Sequence, residues 1–110
     1  MRLSDLTKET KKLSIVYKLA TKDFPVLIEY KPQAVTVDFI KSVEGKSGTD
    51  QIVDRVCRSI VRWDLQDDDG VEIPVTREKI LEAGIPANLL NSIIEAINAD
   101  TRSLAEAKND

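Results

Sequence analysis

With 110 residues, a net charge of −3 and 42% hydrophobic residues, the chain is long enough for one domain with its own core and too short for two. It holds no His and one Cys, which excludes serine–histidine and cysteine–histidine catalysis, histidine-ligated zinc, a histidine pH switch and an intramolecular disulfide. The acidic balance gives no global attraction to phosphate, which speaks against nucleic acid as a partner.

The first twelve residues, MRLSDLTKETKK, are polar and offer only Leu3 and Leu6 for burial. They read as a flexible arm or a short helix and contain no apolar segment of the kind that directs secretion. No stretch of the chain approaches the ~18 consecutive apolar residues of a membrane span. The expectation is a cytoplasmic protein without a membrane partner.

From Leu13 onward, Leu13, Ile15, Tyr17 and Leu19 alternate with Ser14, Val16 and Lys18, the period of two that marks a half-buried strand. Pro25 opens a second run in which Val26, Ile28 and Tyr30 share a face, and Lys31-Pro32 closes it. The short link between them makes a β-hairpin over residues 13–31. Residues 35–44 admit two readings. Val35, Val37 and Phe39 alternate as in a strand, whereas Thr36 as an N-cap starts a helix with Phe39, Ile40 and Val43 on one side; the helix is favoured. Gly45–Thr49 is a break. It contains Gly45-Lys46-Ser47 but is no phosphate-binding loop, because the glycine needed five residues earlier is Ile40.

Thr49 or Asp50 then caps a helix predicted over residues 50–63. Ile52, Val56, Ile60 and Trp63 form one row, Val53, Cys57 and Val61 a second, and Asp54, Arg55, Arg58, Ser59 and Arg62 a solvated face. In the acidic stretch that follows, Asp67, Asp69 and Gly70 match three positions of a calcium-binding EF-hand loop. Leu65 and Thr76 stand where the first and last ligands are required, so the stretch reads as an Asp-Gly turn without a metal. Thr76 caps a short helix that ends at Gly84. Pro86 starts a last helix with Leu89, Ile93 and Ile97 in one row and Leu90 and Ile94 in the next, and residues 99–110 read as a polar tail.

These features predict an α+β domain, mostly helical, over residues 13–98, with the hairpin packed on the two amphipathic helices. Trp63, Ile52, Val56 and Ile60 should cover Leu89, Ile93 and Ile97. The adjacent rows exceed what a domain of this size buries completely, which predicts self-association and makes Val53, Cys57, Val61, Trp63, Leu90 and Ile94 the candidate interaction and oligomerisation residues. No residue is a candidate for catalysis, for a cofactor or for a metal.

Four segments occur in a telling order: Val26–Tyr30 with Glu29; Val61-Arg62-Trp63-Asp64-Leu65; Asp67–Thr76, with its Asp-Gly turn and Ile73-Pro74-Val75-Thr76; and Ile85-Pro86-Ala87 running on to Ile97. Together they resemble the tail assembly chaperones of long-tailed bacteriophages over about residues 24–98. The resemblance implies a small non-enzymatic protein of the host cell cytoplasm, absent from the finished virion and free of cofactors. Its implied partners are the tape measure protein, kept soluble by helix-in-groove binding, and the major tail tube protein, recruited to it. A structural virion component, such as a head–tail connector or tail terminator, is the competing reading. The family is commonly made in a short and a longer frameshifted form, and Ala107-Lys108-Asn109 can be encoded by the run of adenines that such a slip needs.

Overall fold

The computed structural model describes the backbone of residues 2–109 and the side chains of residues 2–102. In chain order the elements are α1 (Leu3–Lys8), β1 (Lys11–Lys18), β2 (Asp23–Tyr30), α2 (Val37–Val43), α3 (Gly48–Ser59), β3 (Ile60–Trp63), α4 (Arg77–Ala83) and α5 (Ala87–Asn109). The three strands form one antiparallel sheet in the order β1-β2-β3. The architecture is α+β, opened by a β-hairpin after a short exposed helix that buries nothing.

The hairpin follows from its alternation. Its register sets Leu13 opposite Ile28 and Ile15 opposite Val26, which gathers Ile15, Val26, Ile28 and Tyr30 on one buried face. Lys12, Ser14, Val16 and Lys18 occupy the other face and are exposed. Pro25 lies within β2, opposite Val16. Because β3 pairs only with Ile28–Tyr30, Pro25 falls where β2 has an open side, and a residue without an N–H is tolerated there.

The main departure from the predicted elements concerns residues 60–63. The helix ends at Ser59, and Ile60–Trp63 is strand β3. Two effects favour the strand. The edge of β2 needs a partner for its peptide groups, and it finds one in Ser59, whose carbonyl accepts from Lys31 N–H at 2.8 Å, and in Asp64, whose N–H donates to Leu27 carbonyl at 3.0 Å. The β-branched pair Ile60-Val61 also fits a pleated surface better than a helix end. The register pairs Tyr30 with Ile60, Glu29 with Arg62 and Ile28 with Trp63, so Val61 is the extra residue of a β-bulge. The bulge turns Ile60 and Trp63, three residues apart, toward the same core.

The helices cover that face. Val53 and Val56 of α3, Ile80 of α4, and Leu89, Leu90, Ile93, Ile94 and Ile97 of α5 join the sheet residues, Ile60 and Trp63 in one cluster. α3 meets α5 along the two apolar rows, although Ile52 is only half-buried. The N-cap of α3 is Ser47 instead of Thr49 or Asp50: its hydroxyl accepts from Asp50 N–H at 3.1 Å and starts the helix two residues earlier than predicted. At α4, Thr76 accepts from Lys79 N–H at 3.2 Å, and Gly84 adopts the left-handed φ of 68° that ends the helix. α5 does not stop at residue 98. Asp100 accepts from the Tyr30 hydroxyl and from Lys11, the latter at 2.9 Å, and the helix runs on to Asn109.

Ile93 on α5 has no exposed surface and belongs to the core cluster. Ile93→Asp is expected to unfold the domain or to lower its stability by about 4 kcal/mol or more, because it buries an unpaired carboxylate. A thermal melt followed by emission of the single Trp measures this, and a midpoint within a few degrees of wild type contradicts the assignment.

Candidate functional site

Of the six residues singled out for interaction, Val53, Trp63, Leu90 and Ile94 belong to the core, with 3%, 1%, 3% and 8% of their surface exposed. They are corrected from interaction surface to core because their rows cover each other within one chain. Cys57 is half-buried against the same cluster. Burial, with a smaller push from Asp54, raises its thiol pKa, so it stays protonated at neutral pH. Val61, the bulge residue, is exposed. The Trp63 indole N–H donates to Ile73 carbonyl at 2.7 Å, which ties β3 to the segment beyond the acidic turn.

Open apolar side chains occur in several places, among them Val16, Leu19, Phe24 and Leu27 of the hairpin, Val61, Val71 and Leu81, and two lie on α2, which has no fully buried residue. Val37 and Ile40 expose 69% and 50% of their surface. Thr36 caps the helix by accepting from Phe39 N–H at 3.3 Å. Arg58 on α3 donates to Ala34 carbonyl at 3.0 Å and lies 5.6 Å from the centre of the Phe39 ring. α2 is thus held by its cap, by the cation–π contact and by half-buried Phe39 and Val43, while the Arg58 bond fixes Ala34 just before it. Between α2 and α3 opens a groove of about 300 Å³, walled by Val35, Phe39, Ile40 and Val43 and rimmed by Glu44, Gln51 and Arg55.

Periodicity alone leaves this segment between strand and helix, and no function was expected of it. The signal present in the sequence is a pair of apolar residues in a helix of only 7 residues, too short to bury both its faces. Val16 and Leu27 on the outer face of the sheet are also about half exposed, at 51% and 47%. Leu27 shares a shallow groove with the charged side chains of Lys12, Glu29 and Arg62, which makes that face more polar than the one beside α2. The α2–α3 groove is therefore the candidate site. An apolar trough with a charged rim suits an amphipathic helix laid into it.

The charged groups elsewhere fasten the fold. Arg77 of α4 bonds Asp50 and, at 2.9 Å, Asp54 of α3, while Lys46 reaches Asp54 at 2.7 Å. The hydrogen bond from Arg77 holds the Asp50 carboxyl below its ordinary range. In the acidic turn, Asp67 accepts from the backbone N–H of Asp69 at 2.9 Å and of Val71 at 3.0 Å, and Gly70 takes a left-handed φ of 79°. Among the described residues, no three His, Cys, Asp or Glu side chains converge as a metal site, and no helix is long and apolar enough to cross a membrane. No family model, curated protein or solved structure matches the chain.

Two predictions follow from these ionisable groups. Burial, reinforced by the bond to Asp100, raises the Tyr30 pKa from 10.0 to about 12, and the same bond holds Asp100 below the ordinary carboxylate range. Tyr30 thus contributes stability that is complete below pH 10 and is lost as pH climbs to about 12. Asp100 contributes stability present above the ordinary carboxylate pKa and lost as pH falls through its depressed value. Tyr30→Phe should flatten the alkaline limb of a plot of melting temperature against pH and weaken the acid limb; unchanged limbs contradict the linkage. For the acidic turn, millimolar calcium should leave the melting temperature unchanged, and an appreciable rise would reveal a bound ion.

Proposed function

We propose that this chain is a phage tail assembly chaperone, a non-enzymatic binding protein that holds the helical tape measure protein in solution and brings tail tube subunits to it. The groove beside α2 carries the binding half of this reading. Apolar side chains on an exposed helix, next to a trough of matching character, are what an amphipathic partner helix covers.

The family half rests on the four segments that resemble such chaperones, and their arrangement supports it. Trp63 bonds Ile73 across the acidic turn. Asp64 accepts from Leu27 N–H at 2.9 Å, and Thr76 caps α4 directly after Ile73-Pro74-Val75. Trp-Asp-Leu, the Asp-Gly turn and Ile-Pro-Val-Thr thus act as one structural unit between β3 and α4, which gives a physical reason for those residues to occur together.

Co-expression with the tape measure protein tests the proposal. That protein is expected in the soluble fraction with the wild-type chain and in the insoluble fraction without it. Val37→Asp with Ile40→Asp changes only exposed side chains, so the melting curve should move by no more than about 0.5 kcal/mol while solubilisation is lost. Solubilisation by the double variant at wild-type level removes the groove from the mechanism. A tape measure protein that stays insoluble beside the wild-type chain removes the function. Purified virions should lack the chain; its presence there supports a connector or tail terminator instead.

A further inference from the structure

Resting on the reading that the groove beside α2 receives an amphipathic helix, we propose that this helix lies in one direction only: its N-terminal end meets Glu44, and its C-terminal end, bearing carboxylates, enters a cationic groove beyond the start of α2. Val35 and Arg55 stand on the walls of both grooves, so the apolar trough opens directly into the cationic one. The cationic groove has a volume of about 460 Å³ and is also lined by Lys31, Ser59, Asn98 and Arg102, with no Asp or Glu among its lining residues.

The path of the chain orders the two ends. α2 (Val37–Val43) and α3 (Gly48–Ser59) are joined by a short connection. Glu44 and Gln51 lie at or near that connection, whereas Val35 and Ser59 lie away from it, before α2 and at the end of α3. From Gln51 to Ser59, α3 rises about 12 Å at ~1.5 Å per residue. That length matches about two turns of a partner helix, so each of its ends comes to a charged group.

The two ends present opposite groups. Among the described residues Lys31 and Arg55 make no ion pair. Arg55 donates to the Asn98 amide oxygen, which leaves the Asn98 amide nitrogen as a donor. Ser59 is only 2% exposed, yet its hydroxyl has no hydrogen-bond partner among the described residues. No fully buried side-chain polar atom is left unpaired there, so this hydroxyl opens into the groove as a free donor. Two nearby carbonyls are occupied: that of Ser59 accepts from Lys31 N–H at 2.8 Å, and that of Lys31 accepts from Ala34 N–H at 3.3 Å. Donors and positive charge suit the last turn of a helix, where carbonyls lack partners and the dipole is negative. Carboxylates on that turn add charge-assisted bonds to Lys31 and Arg55. Glu44, which makes no ion pair among the described residues, suits the positive N-terminus of the same helix. The reverse direction sets the positive end of the helix against the cations and the negative end against Glu44.

Two fluorescein-labelled synthetic helices, titrated with the whole chain, test this. Both have blocked ends, one leucine face and lactam staples that make them equally helical by circular dichroism; one carries Glu in its last turn and Lys in its first, the other the reverse. By fluorescence anisotropy at about 50 mM salt the first should bind about tenfold more tightly or better. The difference should shrink at about 500 mM, where the Debye length is only a few ångströms. Lys31→Glu with Arg102→Glu should invert the preference while keeping a wild-type melting curve. If that variant does not fold, Lys31→Gln with Arg102→Gln should still remove most of the preference. Val37→Asp with Ile40→Asp should weaken both helices alike, and a preference that survives at full affinity in that variant overturns the proposal. Equal binding of the two helices to wild type, or a preference that the groove variants leave intact, overturns the direction while helix binding beside α2 stands. Binding of neither helix overturns both.

Discussion

The domain depends on the bulge at Val61. The sheet has one face that helices cover, and its third strand is only four residues long, Ile60–Trp63. A regular strand would send Ile60 and Trp63 to opposite faces. With Val61 as the extra residue opposite the Glu29/Tyr30 step, both side chains reach the core, and Trp63 is 1% exposed. Truncating a buried aromatic of this size costs about 3–5 kcal/mol, a large share of the stability of a small domain. The consequences spread along the chain. β3 follows α3 with no intervening loop, so the strand's register fixes where α3 lies. The Trp63 indole N–H fixes Ile73, which sets the approach of the chain to α4.

That same spacing explains why the strand was not legible in the sequence. Apolar residues three apart are neighbours on a helix and, across a bulge, neighbours on a strand face as well. Ile52, Val56, Ile60 and Trp63 continue a helical row without interruption, and nothing local to residues 60–63 announces that the β2 edge will claim them. Where local chemistry decides, the reading succeeded. The hairpin needs only its period of two, and α4 only its Thr76 cap and its Gly84 terminus. The extension of α5 past residue 98 was missed for the reason that β3 was: Asp100 looks like a tail residue until Tyr30 and Lys11 are brought to it by the fold.

The site was harder to see than the fold because exposure is what remains after packing is complete. Val53, Leu90 and Ile94 had the pattern of surplus apolar surface, yet α3, α5 and the sheet bury them together. Val37 and Ile40 had no such pattern and are left open. Amphipathicity names the apolar face of a helix; it does not say whether the partner for that face lies in the same chain.

α2 belongs to the connection from β2 to α3. By the time the chain returns as α3 and α5, those helices satisfy the inner sheet face, and a helix of 7 residues has no further core to join. The Thr36 cap, the Arg58 bond to Ala34 carbonyl and the Arg58–Phe39 contact are each worth about 1 kcal/mol, less than one well-buried aliphatic side chain. A helix held in this way, with Phe39 and Val43 only half-buried, opens at low free-energy cost compared with α3 or α5. Exposure of Val37 and Ile40 and weak attachment of α2 thus have one origin, and together they give the groove apolar surface that can adjust to the helix it receives.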